Sequence, residues 1–239
     1  MLLDVKDLNT YYGESHVLQN MSVAVKDGET VALLGRNGMG KSTTLKSIMG
    51  LVKPKSGTVL FQGKNITGFQ PYKVARAGIG YVPEDRRIFP NLPVMDNLKM
   101  GLKHGAAAQI GRQTQWTIER IYDHFPFMKE RSNQKGALLS GGEQQMLTIA
   151  RTLMGNPELL MVDEPTEGLA PVMVQEVRDV LAEISKTGGV SILLVEHNLK
   201  VAISLADRVY LMGKAHLGFT GTVDELNAQP EMRAKYLEV

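Results

Sequence analysis

The chain has 239 residues, a length that fits one large domain or one domain with a small inserted lobe. Its 43% of hydrophobic and 22% of charged residues are ordinary for a soluble globular protein. The net charge of +2 gives no strong electrostatic case for nucleic acid binding, and the lack of cysteine excludes a disulfide framework and a thiolate metal site. No secretory signal is predicted at Met1-Leu2-Leu3-Asp4, and no apolar run approaches the about 18–20 residues that span a bilayer, so a membrane role would require a partner.

The first part of the chain is rich in predicted strands. Leu2–Val5, Val17–Val25 and Thr30–Leu34 are typical strand segments. Asp27-Gly28 predicts a hairpin turn between the second and the third of them. A glycine-rich loop follows the third strand, and a helix is predicted at Lys41–Met49.

Strands and helices then alternate along the rest of the chain. Further strands are expected at Thr58–Phe61, Gly78–Val82, Leu159–Val162, Val190–Val195 and Arg208–Leu211, and helices at Gly142–Met154, Val172–Lys186 and Leu199–Leu205. A polar stretch of helical pattern from Val94 to about Met128, with breaks at Gly101, Gly105 and Gly111, predicts a small helical lobe. The alternation favours a mostly parallel sheet with helices on both faces and with functional groups at the carboxyl ends of its strands.

One stretch has a pattern with a direct chemical meaning. Gly35-Arg36-Asn37-Gly38-Met39-Gly40-Lys41-Ser42-Thr43 matches G-x-x-x-x-G-K-[ST] between a predicted strand and a predicted helix. Its glycines allow backbone N–H groups to surround phosphate oxygens, and the amino terminus of the helix adds partial positive charge. Lys41 is expected to reach the β and γ phosphates of a nucleotide, and the Ser42 hydroxyl is expected to bind Mg²⁺.

Two acids follow the predicted strand Leu159–Val162. Because neighbouring residues on a strand point to opposite sides, we expect Asp163 to hold Mg²⁺ through its water shell while Glu164 faces the γ-phosphate. Glu164 is the predicted general base, which orients and polarises the attacking water. The alternative is that the two acids only end the strand and cap the next helix.

A histidine follows the next apolar strand, in Val195-Glu196-His197-Asn198. In a parallel sheet this strand end lies beside Asp163-Glu164. A neutral His197 imidazole there is expected to hydrogen-bond the γ-phosphate, although a single histidine is more often structural than catalytic. The neighbouring Glu196 is expected to be solvated or ion-paired.

A second glycine-rich segment precedes the predicted helix Gly142–Met154. Leu139-Ser140-Gly141-Gly142-Glu143-Gln144-Gln145 puts a serine and two glycines at a helix start, which is a second anion-binding arrangement. The same residues also form an ordinary helix cap. A single nucleotide does not need two such helix starts. Two copies of the chain, head to tail, would use both, with the phosphate loop of one copy facing Ser140-Gly141-Gly142 of the other.

With these motifs in this order, essentially the whole chain resembles the ATP-binding subunits of ATP-binding-cassette (ABC) transporters. The resemblance implies an α/β fold, with a P-loop NTPase (RecA-like) core, an antiparallel β-lobe and an inserted helical lobe at about residues 86–155, all in one domain over residues 1–239. It implies ATP and Mg²⁺ as ligands and a signature, Leu139 to Gln144, that faces the nucleotide of the partner cassette.

Two further segments take family roles. The resemblance expects an aromatic side chain that stacks on adenine, and Tyr12 fits that position, with Tyr11 as the competing candidate. Such stacking is worth about 1–3 kcal/mol per base. Glu167-Gly168-Leu169-Ala170-Pro171 occupies the position of the loop that touches the partner cassette.

Glu84 departs from the family pattern, in which a glutamine usually contacts Mg²⁺ and the attacking water. Val82-Pro83-Glu84 with Arg86-Arg87-Ile88-Phe89, together with the Glu167–Pro171 loop, resembles the LivF type of branched-chain amino acid importer cassette. The Glu84 side chain keeps an oxygen for Mg²⁺ but loses the two amide donors of glutamine.

Arg86, Arg87 and Phe89 are expected to face a groove that receives a cytoplasmic helix of the membrane subunit. The alternative for the two arginines is a solvated loop.

The resemblance also implies partners and a location. The partners are a second ABC cassette, identical or different, two transmembrane permease subunits and, indirectly, a solute-binding protein, at the cytoplasmic face of the inner or plasma membrane. No nucleic acid partner is expected. Alternatives are cassettes of urea, amide or other amino acid importers and, less favoured, non-transport ABC ATPases. The last need a long coiled coil before the signature, and no heptad run lies between Lys41 and Leu139.

Overall fold

The structure, a computed structural model, describes residues 1–102, 115–187 and 189–237. Its strands are β1 (Leu3–Tyr12), β2 (Ser15–Val25), β3 (Thr30–Leu34), β4 (Ser56–Phe61), β5 (Lys64–Asn65), β6 (Ile79–Val82), β7 (Leu159–Asp163), β8 (Ser191–Glu196), β9 (Arg208–Met212) and β10 (Leu217–Thr222). Its helices are α1 (Lys41–Ile48), α2 (Pro71–Ala77), α3 (Val94–Lys99), α4 (Ile118–His124), α5 (Pro126–Glu130), α6 (Gly141–Leu153), α7 (Pro171–Thr187), α8 (Leu199–Leu205), α9 (Val223–Asn227) and α10 (Pro230–Leu237). Of the predicted glycine breaks, Gly105 and Gly111 lie outside the described residues.

The larger sheet has the strand order β10-β9-β3-β8-β7-β6. Its strands are parallel except for β10, which runs antiparallel to β9 at one edge. Strands β3, β7 and β8 are buried at every residue, as expected where both faces of a parallel sheet are covered. Their carboxyl ends lie side by side, since Leu34 pairs with Glu196 and Asp163 pairs with Val195. This edge therefore brings together the phosphate loop, the two acids and His197, and the predicted α/β fold is confirmed.

The smaller sheet is antiparallel, with the order β2-β1-β4-β5. One hydrophobic cluster fills the space between the two sheets, with Leu3, Val5 and Leu8 on one side and Leu33 and Leu193 on the other. The antiparallel lobe therefore covers one face of the parallel sheet, and its strand β2 packs against the phosphate loop at Gly40.

The predicted hairpin at Asp27-Gly28 is wrong. Strand β2 pairs with β1 in the small sheet, whereas β3 pairs with β8 and β9 in the large one. The turn instead carries the chain from one sheet to the other, because a five-residue strand that is buried throughout fits only the centre of the parallel sheet. The true hairpin joins β1 and β2 at Gly13, where φ is +55°.

Strand β1 is longer than its predicted segment, Leu2–Val5. A register shift between Val5 and Leu8 interrupts its pairing with β2, and Asp7 there has φ +49°. Such a bulge breaks the alternation of polar and apolar residues from which a strand is recognised. Beyond the bulge the strand continues to Tyr11 and Tyr12, the two candidates for stacking on adenine.

The predicted helical lobe corresponds to α3, α4, α5 and α6. Its buried residues, such as Leu98, Phe125 and Leu147, form one cluster with Val162 of β7 and Leu194 of β8. The single-domain organisation stays a prediction, and this shared core is consistent with it. Among the described residues, every helix is too short or too polar to cross a membrane.

Candidate active site

The phosphate loop borders an open cavity of about 400 Å³ at the carboxyl edge of the large sheet. The residues that line it come from the loop, β2 and the acidic segments: Val17, Asn37, Gly38, Gly40, Lys41, Ser42, Thr43, Glu84, Glu164 and Glu167. The Lys41 side chain is only 2% exposed. Its Nζ donates to the carbonyls of Gly35 at 2.8 Å and Arg36 at 3.1 Å, and so the loop curls around its own lysine.

The glycines of the loop are required by its shape. Gly40 has φ +102°, and a Cβ there would lie 2.9 Å from side-chain atoms of Leu18 and Met212. Gly38 has φ +79°, in the region that favours glycine. The loop leads directly into α1, whose first-turn N–H groups have no partners within the helix. A concave backbone with free donors fits a bound phosphate chain.

Asp163 is not part of the cavity lining, but it contacts Ser42, which is, and the two side chains together suit a divalent cation. The Ser42 Oγ donates to Asp163 Oδ1 at 2.8 Å, and the Tyr81 hydroxyl donates to Asp163 Oδ2 at 2.9 Å. Burial raises the pKa of Asp163 even though these two hydrogen bonds oppose the shift. A hydroxyl and a carboxylate are oxygen donors of the kind that Mg²⁺ prefers, so the residues present fit the predicted metal.

The role of Tyr81 was not anticipated from the sequence. Tyr81 pairs with Met161, and residues two apart on a strand share a face, so the Tyr81 ring lies on the same side as Asp163. The position of Tyr81 near the end of a predicted strand could have indicated this contact. That inference needs the knowledge that β6 is the neighbour of β7, which the chain order does not reveal.

Glu164 lies at the centre of the site. Its side chain is 6% exposed, with Oε1 at 3.0 Å from Lys41 Nζ and Oε2 at 3.0 Å from His197 Nδ1. Burial disfavours the charged form, but hydrogen bonds with Glu167, Lys41 and His197 outweigh it and hold the Glu164 pKa below its ordinary value. The group is thus ionised at neutral pH and able to accept a proton.

Two further acids lie on the same wall of the cavity, Glu84 and Glu167. The hydrogen bond with Glu164 raises the pKa of Glu167, and burial and the Glu164 charge add to the shift. Partial burial and the charges of Glu164 and Asp163 raise the pKa of Glu84. Glu167 had been expected only as a partner contact. Its backbone N–H bonds the Glu164 carbonyl at 3.2 Å, so a tight turn brings the two side chains together.

The expectation that Glu196 is solvated or ion-paired is wrong. Its side chain is fully buried and accepts hydrogen bonds from the hydroxyl and N–H of Thr166. It also accepts from the backbone N–H groups of His197 and Asn198. Because the carboxylate satisfies the donors at the end of β8, it fixes the backbone that presents the His197 ring to Glu164.

The signature does not line the cavity of its own chain. Ser140 caps α6, where its Oγ accepts from Glu143 N at 3.3 Å and its N–H donates to the Glu143 carboxylate at 2.8 Å. Leu139 is buried, and Gln144 donates to the carbonyls of Gly136 and Leu139. Within one chain the segment is an ordinary capped helix start.

Tyr12 and Tyr11 have different surroundings. The Tyr11 ring stacks on His16 at 4.1 Å between centroids, with Lys55 Nζ 4.8 Å above it. Tyr12 is 47% exposed and is not part of the cavity wall. Three predicted loop residues, Gly35, Arg36 and Met39, likewise lie outside it, and the last two line a neighbouring cavity near Met212 and Tyr236.

The segment after Glu84 divides between two surfaces. Arg87 and Phe89 line a groove of about 440 Å³, together with Leu51, Met100 and Arg151. Arg86, which had been expected to face this groove, does not line it. Its guanidinium lies instead at the amino terminus of α6, where a Cβ added to Gly141 would be 2.9 Å from Nη1.

Known proteins are similar to this chain in sequence and in fold. The ABC transporter family model matches residues 18–167. The chain is 38% identical over 236 residues to the high-affinity branched-chain amino acid transport ATP-binding protein BraG of Pseudomonas aeruginosa, covering 99% of each chain. It is 37% identical over 227 residues to the probable branched-chain amino acid transport ATP-binding protein LivF of Archaeoglobus fulgidus, covering 95% of this chain and 94% of the relative.

Among solved structures, a dimeric bacterial ABC transporter cassette superposes with a TM-score of 0.77 at 26% identity. The match covers 92% of this chain and 98% of that one. The motifs, the strand order that brings them to one edge and these similarities agree. The chain therefore belongs to the ABC transporter family, as an ATP-binding subunit that hydrolyses ATP.

Proposed function

We propose that the cavity beside the phosphate loop is the ATP and Mg²⁺ site of this cassette. Lys41 and the backbone donors of the loop would hold the β and γ phosphates, while Ser42 and Asp163, with Glu84, would hold the cation. The observation that carries the proposal is the joint contact of Glu164, which lines that cavity, with Lys41 and His197, at 3.0 Å on each side. Glu164 as a base, the Lys41 ammonium group as a phosphate ligand and the His197 ring as a hydrogen-bonding group would then surround one point.

Lys41 and Glu164 form a buried ion pair. Phosphate oxygens would take the place of the Glu164 carboxylate at the lysine, which frees Glu164 to orient a water molecule and accept its proton. His197 is already directed to the same carboxylate and would hydrogen-bond the γ-phosphate. When bound, Mg²⁺ would neutralise charge on the phosphates. The buried Glu196 keeps the His197 backbone in place throughout.

The substitution Glu164→Gln tests the assignment of the base. It keeps the shape of the side chain but replaces one carboxylate oxygen with an NH2 group and removes the proton acceptor, so ATP turnover should fall by about 10²–10⁴-fold. ATP affinity, measured by equilibrium binding, should change by less than about threefold. Glu176→Gln, an exposed position on α7, is the matched control and should keep wild-type turnover. Turnover of the Glu164 variant within about threefold of wild type would contradict the proposal.

We further propose that two cassettes close on two ATP molecules, with Leu139 to Gln144 of each copy facing the nucleotide of the other and Tyr12 stacking on adenine. The exposed Tyr12 ring and the open cavity support this, as does the dimeric solved relative. Glu164→Gln should form a dimer with Mg-ATP in sedimentation equilibrium, because ATP is bound and not consumed. Persistent monomer at high protein and ATP concentration would count against it.

The partners and solute are proposed from the groove and from the relatives. Exposed apolar side chains, Leu51, Phe89 and Met100, border the groove, and such a patch on a chain of this kind is suited to a helix of a permease subunit. The cassette would then sit at the cytoplasmic face of the membrane. BraG and LivF act in branched-chain amino acid transport, which favours that solute class. Urea, amide or other amino acid import is the alternative.

The solute class is tested in a reconstituted complex with the permease subunits and a solute-binding protein. ATP turnover should rise with leucine-loaded binding protein and not with urea. Stimulation by urea or an amide alone would replace the proposed class.

A further inference from the structure

Arg86 lies beside the helix start that carries the signature. A Cβ added to Gly141 would be 2.9 Å from Arg86 Nη1, 3.4 Å from Cζ and 3.5 Å from Nη2. A Cβ on Gly168 would be 4.0 Å from Nη2. The guanidinium therefore lies between the first turn of α6 and the Glu167–Pro171 loop, directly over Gly141.

This position is electrostatically unfavourable for a cation. The amino terminus of a helix carries a partial positive charge, which favours anions and repels a guanidinium. The acid in the first turn, Glu143, is already used by Arg131 at 2.9 Å and by the Ser140 N–H. Within the described parts of the chain, no carboxylate forms an ion pair with Arg86. Two positive groups thus meet at Ser140-Gly141, where an added anion would be stabilised by both.

The Arg86 backbone is held there by α6. Arg86 and Arg87 have φ +61° and +43°, conformations that are costly for residues other than glycine and that persist only when the surroundings impose them. The buried Thr148 hydroxyl bonds the Arg86 carbonyl, and Arg151 Nη2 bonds the Arg87 carbonyl at 2.8 Å. The turn is thus fastened to the same helix whose amino terminus Arg86 covers.

We propose that Arg86 is a ligand, in trans, for the γ-phosphate of the ATP bound by the partner cassette. The inference rests on the proposed dimer, in which the signature faces that nucleotide. Arg86 adds a full positive charge to the partial charge of the helix start, and its planar donors suit phosphate oxygens. Because Glu84, two residues earlier, lines the cavity of the same chain, the turn links the two nucleotide sites.

Dimerisation of the Glu164→Gln chain with Mg-ATP tests the proposal. Adding Arg86→Gln should raise the dimer dissociation constant about ten- to a hundredfold, while ATP affinity of the dilute monomer changes less than twofold. Arg86→Lys should recover part of the loss because it keeps the charge. Arg178→Gln, which removes an arginine paired with Asp179 on α7, is the matched control. Unchanged dimerisation, or an equal loss of ATP affinity in the monomer, would overturn the role in trans.

A mixing experiment distinguishes action across the dimer from action within one chain. The Arg86→Gln and Glu164→Gln chains are mixed before ATP is added. In a mixed dimer, one site combines an intact Glu164 from one copy with an intact Arg86 from the other, so turnover should exceed the sum of the separate variants. Turnover equal to that sum would overturn the proposal. If the wild-type chain neither dimerised nor hydrolysed ATP, the proposed function itself would fail.

Discussion

At the scale of single residues, the site is a connected set of polar contacts around Glu164. Its two carboxylate oxygens lie 3.0 Å from Lys41 Nζ and 3.0 Å from His197 Nδ1, and a hydrogen bond with Glu164 raises the pKa of Glu167. Partial burial and the charges of Glu164, Asp163 and Asp85 raise the pKa of Glu84. Phosphate binding would release the base from the lysine. The residue that differs from the family pattern, Glu84, is therefore part of the charge balance of the site.

Glu84→Gln should keep ATP turnover within about tenfold of wild type, or about 1.4 kcal/mol of barrier. Both side chains offer an oxygen to a cation, and only the charge and the amide donors differ. Steady-state ATPase assays at saturating Mg-ATP check this. A loss of a thousandfold would mean that Glu84 performs chemistry that glutamine cannot.

The same substitution predicts a pH dependence of stability. The folded-state pKa of Glu84 is raised above its ordinary value of 4.5, so ionisation destabilises the folded chain relative to the unfolded one. The wild-type chain should match Glu84→Gln below that value and become less stable than the variant as the pH rises. The gap should be small, because solvent screens this largely exposed group. Thermal unfolding between about pH 4 and 8 measures it, and a wild-type chain more stable at pH 8 would contradict it.

At the scale of elements, α6 connects three functional segments. Its amino terminus is the signature, its Thr148 and Arg151 hold the turn after Glu84, and its apolar face packs in the core of the helical lobe. The buried Asn97 of α3 holds the next stretch, with bonds to the N–H and carbonyl of Phe89. The two helices thus set where Arg86 and the groove residues lie.

Thr148→Val tests this connection. The change keeps the shape but removes the hydroxyl, leaving the Arg86 carbonyl without its side-chain donor, and should lower the free energy of unfolding by about 1–2 kcal/mol. Thr152→Val is the control, because its hydroxyl bonds only the Thr148 carbonyl within the helix. Urea denaturation compares the two variants. Equal losses would show that the contact with the turn adds nothing.

At the scale of the whole molecule, two sheets from different parts of the chain have to be joined. Arg208 of β9 donates to Glu29 at 2.8 Å and to the carbonyl of Ala24 in β2 at 2.8 Å. The Tyr210 hydroxyl accepts from the Ala24 N–H at 3.1 Å. These hydrogen bonds of Arg208, Glu29 and Tyr210 lie at one end of the hydrophobic layer between the sheets. They connect the antiparallel lobe to the parallel sheet that carries the phosphate loop.

Glu29→Gln should lower stability at neutral pH by about 1–2 kcal/mol, the range for a hydrogen bond to a charged group. Burial opposes ionisation of Glu29, but the hydrogen bonds and charge of Arg208, with the Lys26 N–H, hold its pKa below the ordinary 4.5. A carboxyl group whose pKa is lower in the folded chain stabilises the fold at pH values above its unfolded-state pKa. This stabilisation is lost as the pH falls through the folded-state pKa, so the stability difference between wild type and Glu29→Gln should close in acid. Asp4→Asn, from a pair with Lys6 that is more exposed than the Glu29–Arg208 pair, is the control and should have little effect.

Local sequence patterns predict the fold class and the type of site. The phosphate loop, the acid pair after an apolar strand and the strand alternation all depend on residues close together along the chain, so they predict local structure and the α/β fold. Most predicted helices and strands agree with the structure to within one or two residues, because their patterns are long and periodic. The elements β5, β10, α2, α9 and α10 were not predicted, because these segments of two to eight residues show no clear hydrophobic period.

Contacts between residues far apart in the chain could not be predicted from the sequence and were found in the tertiary structure. The order of strands in the sheet put Tyr81 on Asp163, and the switch of sheet after β2 replaced the expected hairpin. Glu196 is buried and accepts hydrogen bonds from backbone N–H groups, where a solvated or ion-paired side chain was predicted. Arg86 lies beside the signature and not in the groove, because its turn is hydrogen-bonded to α6. Each of these is a contact between elements far apart in sequence, set by packing and by the need to pair buried polar groups, neither of which is visible in a local pattern.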